Sequence, residues 1–195
     1  MALKIGITGG IGSGKSFVSK IFKTMGVPFY DADKEAKHIM TTSNIIKDGL
    51  TAYFGPEVYF ENGDLNRKYL SAQVFNNQEK LDKLNSIVHP VVIQDAVDWA
   101  NMQTTDYSLK EAALLFESNS YKTLDYTILV TAPEELRIER VIKRDNTTRE
   151  EVIKRISKQM KEEEKLKLAD FIIVNDGLTS LLPQIYKIHN ILINR

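Results

Sequence analysis

The sequence contains no cysteine, and this absence excludes several kinds of chemistry at once. Disulfide bonds, thiol nucleophiles and cysteine-ligated metal sites all require that residue. Histidines number only three, His38, His89 and His189, and their positions lack the spacing of zinc ligands. We therefore expect no zinc site in this protein.

An excess of charge of either sign is also absent. The chain has 26 basic and 26 acidic residues, so its formal net charge is zero. No overall field attracts nucleic acid or an anionic membrane, and we expect neither as a partner. Any site that binds an anion must therefore be built from local groups.

Long apolar runs are missing as well. No stretch approaches the roughly 20 apolar residues that a membrane-spanning helix needs, and residues 1–8 lack the apolar segment of a secretory signal. With 43% hydrophobic residues, the chain of 195 residues can nevertheless bury a substantial core. We expect a cytoplasmic protein, a monomer or small homo-oligomer, with one domain and appendages to it.

The most informative feature that is present is the phosphate-loop pattern G-x-x-x-x-G-K-S at residues 9–16. It follows a short apolar segment and precedes a helical periodicity over residues 15–25. Glycines in such a loop let backbone N–H groups converge on phosphate oxygens at the positive end of the helix. Lys15 is then expected to reach the terminal phosphates, and the Ser16 hydroxyl to bind Mg²⁺. The alternative is a glycine-rich turn without a ligand, which would not require Lys15 and Ser16 at this offset.

Five apolar segments have the character of buried strands, and helical patterns separate them. These segments are residues 4–8, 27–30, 109–116, 126–131 and 171–174. The alternation predicts an α/β fold with a parallel sheet covered by helices, in which ligands gather at the carboxyl ends of the strands. The third segment is ambiguous because Lys110 and Glu111 interrupt it, and residues 112–115 would suit a helix equally well.

Two long insertions separate these strands, and they suggest a division of the chain. Residues 34–106 have helical patterns and form a candidate substrate domain, whereas residues 133–167 are dense in charge, with a basic excess before the acidic run 162–164. A basic segment of this kind suits a lid that closes over a polyphosphate, although charged helices are commonly only solvated surfaces. We expect the acidic run to be solvated surface. The remaining segments would form the nucleotide-binding core, namely residues 1–33, 107–132 and 168–195.

Several cationic side chains in the second insertion recur at helical spacing. Arg137, Arg140 and Arg144 lie about one turn apart, so we expect them to line one face of a helix. Arg140 is the best candidate for the cation that stabilises a transferred phosphoryl group. Arg155 and Gln159 form a similar pair on the next helical stretch.

Two carboxylates, Asp31 and Asp33, follow the second predicted strand. They share a face if the extended conformation continues, at the edge of the sheet where the phosphate loop also lies. One of them could accept the proton of an acceptor hydroxyl, and we take Asp33 as this base. The competing role is to cap a helix that begins near Lys34, which we assign more readily to Asp31 or to both. His89 precedes Pro90 and is more consistent with the start of a helix than with a catalytic base.

These residues resemble those of a known family, the bacterial dephospho-coenzyme A kinases, and the resemblance covers essentially the whole chain. It includes the loop at residues 8–16 and the Asp31-Ala32-Asp33 step. No later motif is decisive alone, but their order and spacing are specific together. These later segments are residues 65–67, 84–90, 114–117, 137–145, 155–160 and 169–177.

The resemblance implies phosphorylation of the ribose 3'-hydroxyl of dephospho-coenzyme A by ATP and Mg²⁺. It also implies a P-loop nucleotide kinase fold with a helical substrate domain and a lid, and makes Asp33 the base with Lys15 and Arg140 as charge stabilisers. The implied ATP contacts are Gly10, Ile11, Gly12, Ser13, Gly14, Lys15, Ser16, Phe17, Arg144, Asn175 and Gly177. The implied substrate contacts are Asp33, Asn66, Arg67, His89, Leu115 and Arg155.

The sequence departs from the family pattern at a few positions. Phe17 stands where the family commonly has threonine, which leaves only its backbone N–H for the α phosphate. Ala113 replaces a common proline, and Lys158 occupies a position that is usually small. None of these changes removes a predicted catalytic group.

Three other functions share parts of this pattern. A regulatory GTPase is disfavoured because the sequence has no D-x-x-G motif and no N-K-x-D base-recognition motif. Another small-molecule kinase, for a nucleoside monophosphate or shikimate, would share the core, and only the resemblance in the first insertion argues against it. A non-catalytic ATP-binding module is disfavoured by the presence of Lys15, Ser16, Asp33 and Arg140 together.

Overall fold

The computed structural model describes residues 2–75 and 77–195. The chain divides into two compact units. The first, here called the core unit, comprises residues up to 31 together with residues 99–195. The second, here called the helical unit, lies within residues 32–98. It overlaps the predicted substrate domain, whose role in binding stays a prediction.

A five-stranded sheet forms the centre of the core unit. Its strands are β1 (Leu3–Thr8), β2 (Phe29–Asp31), β3 (Tyr107–Glu111), β4 (Tyr126–Thr131) and β5 (Phe171–Val174). Their order is β2-β3-β1-β4-β5, and every neighbouring pair is parallel. This confirms the predicted parallel sheet, and it places the carboxyl end of β1 between those of β3 and β4.

Helices account for most of the remaining regular structure. In chain order they are α1 (Lys15–Thr24), α2 (Ala32–Thr42), α3 (Asn44–Phe54), α4 (Arg67–Val74), α5 (Gln78–Asn101), α6 (Glu134–Asp145), α7 (Arg149–Ile156), α8 (Glu162–Leu168) and α9 (Leu181–Ile193). Among the residues that the structure describes, no helix is both long and apolar enough to cross a bilayer.

The core of the first unit lies between the sheet and the helices α1 and α9. Val18 and Phe22 of α1 are fully buried and pack in the same cluster as Ile5 of β1. From α9, Ile185 and Leu192 join this cluster. Burial of these apolar side chains fixes α1 against the sheet, and this fixes the loop that joins β1 to α1.

The helical unit has a separate apolar core. Buried residues from α2, α3 and α5 meet there, including Ile39, Leu50 and Val92. The helix α5 continues through Pro90, so the expectation that His89 starts a helix is wrong. Val88 and Val92 are both buried in this core, so packing on either side of Pro90 outweighs the hydrogen bond that proline cannot donate.

Two strand predictions also need correction. The strand β3 ends at Glu111, and residues 113–119 form turns instead of extending the strand to residue 116 or forming a helix. Leu115 and Phe116 are buried within these turns, so their apolar character reports burial and not strand structure. The strand β2 begins at Phe29 and not at Val27.

Candidate active site

The phosphate loop connects β1 directly to α1 and has the backbone shape that its glycines predict. Gly12 and Gly14 have φ angles of 80° and 86°, a region that side chains with a Cβ rarely adopt. Gly14 is also the N-cap residue of α1, and the first turn of that helix contains no acidic residue. The loop therefore presents backbone N–H groups and the positive end of a helix dipole, which suits a phosphate group.

Close packing explains the glycines further. A Cβ at Gly12 would overlap the backbone of Arg137, and a Cβ at Gly10 would overlap the guanidinium of the same residue. A Cβ at Gly14 would overlap the side chain of Asn175. The loop is thus closely packed between α6 and the segment after β5. The case for glycine is strongest at Gly12, where the overlap is with backbone atoms and the φ angle is positive.

Lys15 and Ser16 lie on the first turn of α1, and both contact one carboxylate, Glu111. The Lys15 ammonium forms an ion pair with Glu111 Oε1, and Ser16 Oγ donates to the same oxygen at 2.6 Å. Burial alone would raise the pKa of Glu111, but the Lys15 charge and the hydrogen bonds from Lys15 and Ser16 lower it below its ordinary value. Sequence reasoning missed Glu111, because it treated this residue only as an interruption of a strand.

Arg140 is connected to the phosphate loop through Asn175. Its guanidinium donates to the Asn175 carbonyl oxygen at 3.1 Å and to Asn175 Oδ1 at 3.4 Å. The Asn175 amide nitrogen donates in turn to the Ser13 carbonyl oxygen at 2.8 Å. The structure therefore brings two predicted residues, Arg140 and Asn175, to the edge of the loop.

The three arginines lie on α6 at the predicted helical spacing, but Arg137 differs from the other two in its burial and contacts. Arg137 is buried beside Gly10 and pairs with Glu162 at 3.5 Å and with Glu134 at 3.6 Å. The expectation that the acidic run at 162–164 is only solvated surface is therefore wrong for Glu162. A buried cation without a partner would destabilise the fold, and Glu162 provides the negative charge that the buried Arg137 guanidinium needs.

Arg144 and Arg155 share a different partner. The Arg144 guanidinium contacts Asp145 at 2.7 Å, and Arg155 contacts the same carboxylate at 2.9 Å. The hydrogen bond from Arg144 lowers the pKa of Asp145. Both arginines are exposed at the end of α6 and in α7, and their predicted contacts with ATP and substrate stay predictions.

Gln159 lies beyond the end of α7 and contacts the phosphate loop, so it does not form a pair with Arg155 on one helix. Its Oε1 accepts a hydrogen bond from the Ile11 backbone N–H at 2.9 Å. Ile11 also packs against a small apolar cluster that includes Ile138 of α6 and Val152 of α7. The charged segment predicted as a lid therefore contacts the loop through Gln159 and the apolar cluster, in addition to the close approach of Arg137.

In the helical unit, the predicted site residues occupy separate local settings. The extended conformation ends at Asp31 and α2 begins at Ala32, so Asp31 and Asp33 do not share the face of one strand, and the helix starts earlier than expected. Asp33 is exposed in the first turn of α2. The negative charge of its carboxylate interacts favourably with the positive end of the helix dipole, which helps to explain why a helix starts here.

Asn66 and Arg67 lie at the start of α4, and His89 lies in the middle of α5. Asn66 is the N-cap residue: its Oδ1 accepts from the Tyr69 N–H at 3.1 Å, and its amide donates to the Glu57 carbonyl oxygen. Arg67 is exposed and His89 is half-buried. Asn66 thus has a structural role that is sufficient to explain it, and its predicted substrate contact stays a prediction.

Three further predicted residues belong to the core unit. The Phe17 side chain is exposed, and its N–H donates to the Gly14 carbonyl oxygen. Leu115 is fully buried, where it packs over Gly6 of β1. Gly177 has a φ angle of 83° in the loop after β5, where Asp176 accepts hydrogen bonds from the N–H groups of Leu178 and Thr179. Their proposed contacts with ligands stay predictions.

The parallel sheet, its strand order and the phosphate loop after β1 define the class of protein: a P-loop kinase fold. Comparison with known proteins then gives the family. The dephospho-CoA kinase family model matches residues 3–180. A dephospho-CoA kinase from Bacteroides fragilis is 42% identical over 189 residues, which cover 96% of this chain and 92% of that protein.

Two solved structures resemble this chain over nearly its whole length. A dephospho-CoA kinase from Campylobacter jejuni superposes with a TM-score of 0.73 at 28% identity, covering 100% of this chain and 98% of that one. A Thermus thermophilus structure has a TM-score of 0.82 at 34% identity, covering 99% of this chain and 97% of that one. The chain belongs to the dephospho-CoA kinase family.

Proposed function

We propose that this dephospho-CoA kinase transfers the γ-phosphoryl group of ATP to the ribose 3'-hydroxyl of dephospho-coenzyme A, using the phosphate loop of the core unit. The observation that carries the proposal is the arrangement of residues 9–16. Gly14 has a left-handed conformation at the N-terminus of α1, and Lys15 and Ser16 follow on the first helical turn. This arrangement suits a polyphosphate. The matching family consists of kinases, which supports ATP as the polyphosphate that binds here.

Phosphoryl transfer requires mainly positioning and stabilisation of charge. The loop N–H groups would hold the phosphates, and Lys15 would exchange its ion pair with Glu111 for the terminal phosphates. Arg140 would supply a second positive charge, held in place by its two hydrogen bonds to Asn175. Arg140 already has fixed partners, whereas Lys15 would have to leave Glu111 before it could stabilise charge on the transferred group.

The residues around Ser16 also fit a magnesium ion. The Ser16 hydroxyl oxygen and the Glu111 carboxylate oxygen lie 2.6 Å apart, and both are the hard oxygen donors that Mg²⁺ prefers. Within residues 2–75 and 77–195, no group of three or more acidic, histidine or cysteine side chains could hold a metal alone. This agrees with a metal held by one or two protein oxygens together with substrate phosphates. Ser16 would bind the ion, which when bound neutralises charge on the phosphates.

The acceptor side of the reaction is assigned to the helical unit. Asp33 would accept the proton of the ribose hydroxyl, and Asn66, Arg67 and His89 would contact the acceptor. For Leu115 and Arg155, which belong to the core unit, contact with the acceptor stays a prediction. Residues 133–167 would close as a lid and exclude water, so that ATP is not hydrolysed before the acceptor binds.

Formation of ADP in the presence of different acceptors tests this function. The acceptors are dephospho-coenzyme A, AMP, CMP and shikimate, with a reaction that contains no acceptor as the control. We expect strong stimulation by dephospho-coenzyme A alone. Equal stimulation by AMP, CMP or shikimate would contradict the proposed acceptor, and the same slow ADP formation in every reaction would contradict the kinase activity.

A further inference from the structure

Lys165 of α8 is a buried lysine that the proposed function does not use. Its side chain is only 1% exposed, and its ammonium lies 3.0 Å from Oε1 of Glu117, whose side chain is 19% exposed. Lysine is almost never fully buried without a partner, because its charge loses hydration. The pair therefore differs from a surface ion pair, which solvent screens.

The turn after β3 fixes the position of Glu117. The two preceding residues, Leu115 and Phe116, are 0% and 2% exposed, and Leu115 packs over Gly6 of β1. The backbone at Glu117 cannot move without loss of this close packing. Glu117 thus extends its carboxylate from a part of the core unit that is packed against the sheet.

The same carboxylate oxygen has a second partner, which leads to the phosphate loop. The Met160 backbone N–H donates to Glu117 Oε1 at 3.0 Å. Met160 directly follows Gln159, whose Oε1 accepts the Ile11 N–H at 2.9 Å. These contacts connect the turn after β3 to the middle of the phosphate loop, through the C-terminal part of the segment predicted as a lid.

The chemistry of the pair explains why charged residues occupy these positions. Replacement of a buried ion pair by apolar residues is often neutral or stabilising, so stability alone does not require the pair. An apolar side chain at position 117 could not accept the Met160 N–H, whereas a carboxylate is a strong acceptor. Lys165 supplies the positive charge that lets this carboxylate lie in the interior.

We propose that Glu117 and Lys165 are positioning residues that set the phosphate loop for ATP through Gln159. Their ion pair holds the Met160 backbone, which places the Gln159 side chain, and Gln159 fixes the Ile11 N–H. A loop that already has its binding conformation loses less conformational freedom when the nucleotide binds. This inference rests on the proposed function, in which the phosphate loop binds ATP.

Hydrogen exchange of the Ile11 amide, followed by NMR without nucleotide, tests the positioning directly. Two double variants remove the ion pair and leave no unpaired charge. Glu117→Met/Lys165→Met also removes the acceptor for Met160, whereas Glu117→Gln/Lys165→Met keeps it. We expect Ile11 to exchange at least about fivefold faster in the first variant than in the second, because one hydrogen bond contributes about this factor. Lys187→Met, at an exposed position of α9, is the control and is expected to match the wild type.

Equilibrium binding of MgATP provides the functional measurement. We expect the affinity of Glu117→Met/Lys165→Met to be about threefold to tenfold lower than that of Glu117→Gln/Lys165→Met, and Gln159→Met to show a similar loss from the wild type. Because the ion pair acts through Gln159, the addition of Gln159→Met to the first double variant is expected to cause no further loss. A purely structural role would instead give additive losses, and that result would overturn the proposal.

Two other results would also overturn it: equal Ile11 exchange in the two double variants, and faster exchange with unchanged ATP affinity. If Glu117→Met/Lys165→Met lacks a cooperative thermal transition, Glu117→Asp is compared with the wild type instead. This variant keeps the charge but withdraws the carboxylate from Met160 by one methylene, so Ile11 is again expected to exchange faster. If the wild type shows the protected Ile11 amide but binds no MgATP, the proposed function itself is wrong.

Discussion

The phosphate loop and the helical unit show two different relations between sequence and chemistry. In the loop, the proposed function depends on the backbone: Gly12 and Gly14 have positive φ angles, and residues 9–16 are contiguous in the chain. In the helical unit, the predicted site residues come from separate elements, namely α2, α4 and α5. A contiguous backbone site can be identified from its pattern, whereas a site built from distant side chains depends on how the helices pack.

This difference also predicts how each region responds to substitution. A change in the loop is expected to alter ATP binding and catalysis together, because in the proposed function the same groups hold and stabilise the phosphates. A change in the helical unit alters either the proton transfer or the stability of a helix, and it leaves ATP binding intact. The following predictions test this separation.

The largest effect is expected for Lys15→Met. The variant keeps a chain of similar shape but removes the positive charge, so both ATP affinity and turnover decrease, the latter by about 10³-fold to 10⁵-fold. Calorimetric titration with MgATP and steady-state kinetics measure the two quantities. Lys20→Met, an exposed position on the same helix, is the matched control. Normal ATP affinity in Lys15→Met would contradict the assignment of the loop.

The helical unit is expected to respond differently in Asp33→Asn. Turnover decreases by about 10²-fold to 10⁴-fold because the general base is lost, and ATP affinity stays within about twofold of the wild type. Glu35→Gln, in the same turn of α2, controls for loss of a negative charge. If turnover of Asp33→Asn equals that of the wild type, Asp33 is not the base.

Lys110 lies near the end of β3, where the sequence pattern is ambiguous, and a substitution there tests whether this lysine is buried. Burial lowers the pKa of this lysine to about 8. The folded protein then binds fewer protons than the unfolded chain between pH 8 and the ordinary lysine pKa, so stability rises with pH over this range. Lys110→Met is expected to add up to about 3 kcal/mol to the free energy of unfolding at pH 7 and to remove that rise. Chemical denaturation at pH 7, 9 and 10 measures both effects, and an equal slope in variant and wild type would contradict the burial.

The smallest effect is expected for Asn66→Ala, which removes the N-cap of α4. The free energy of unfolding decreases by about 1 kcal/mol, and ATP affinity does not change. Asn66→Ser retains a capping oxygen and is expected to restore most of the stability. Chemical denaturation of the wild type and both variants measures these changes in the free energy of unfolding and so tests the capping role of Asn66. If the KM for dephospho-coenzyme A is raised in both variants, Asn66 contacts the substrate as predicted, in addition to capping α4.

Local patterns were sufficient for much of the core unit. The strands β4 and β5 have the predicted bounds, and α1 begins at Lys15 as predicted, because apolar runs and glycine punctuation decide these elements within a few residues. The end of β3 and the course of α5 through Pro90 were not predictable in this way. There, tertiary packing of Leu115 and Val92 outweighs the local signal.

The candidate site was predictable to a similar extent. Lys15 and Ser16 follow from the motif, but their shared partner Glu111 lies about 95 residues away and carries no motif of its own. The contact from Gln159 to Ile11 spans an even longer separation along the chain. Such partners are set by the register of the sheet and the packing of α6 and α7, which no local pattern encodes.

The position of the transferred phosphate tests the central claim most directly. The wild-type enzyme is incubated with MgATP and dephospho-coenzyme A, and the product is analysed by phosphorus NMR with its coupling to ribose protons. An acceptor that lacks the 3'-hydroxyl is the control. The account predicts one new phosphomonoester on the ribose 3' carbon and no ADP formation above background with the control acceptor. Phosphate at another position, or equal ADP formation with both acceptors, would contradict it.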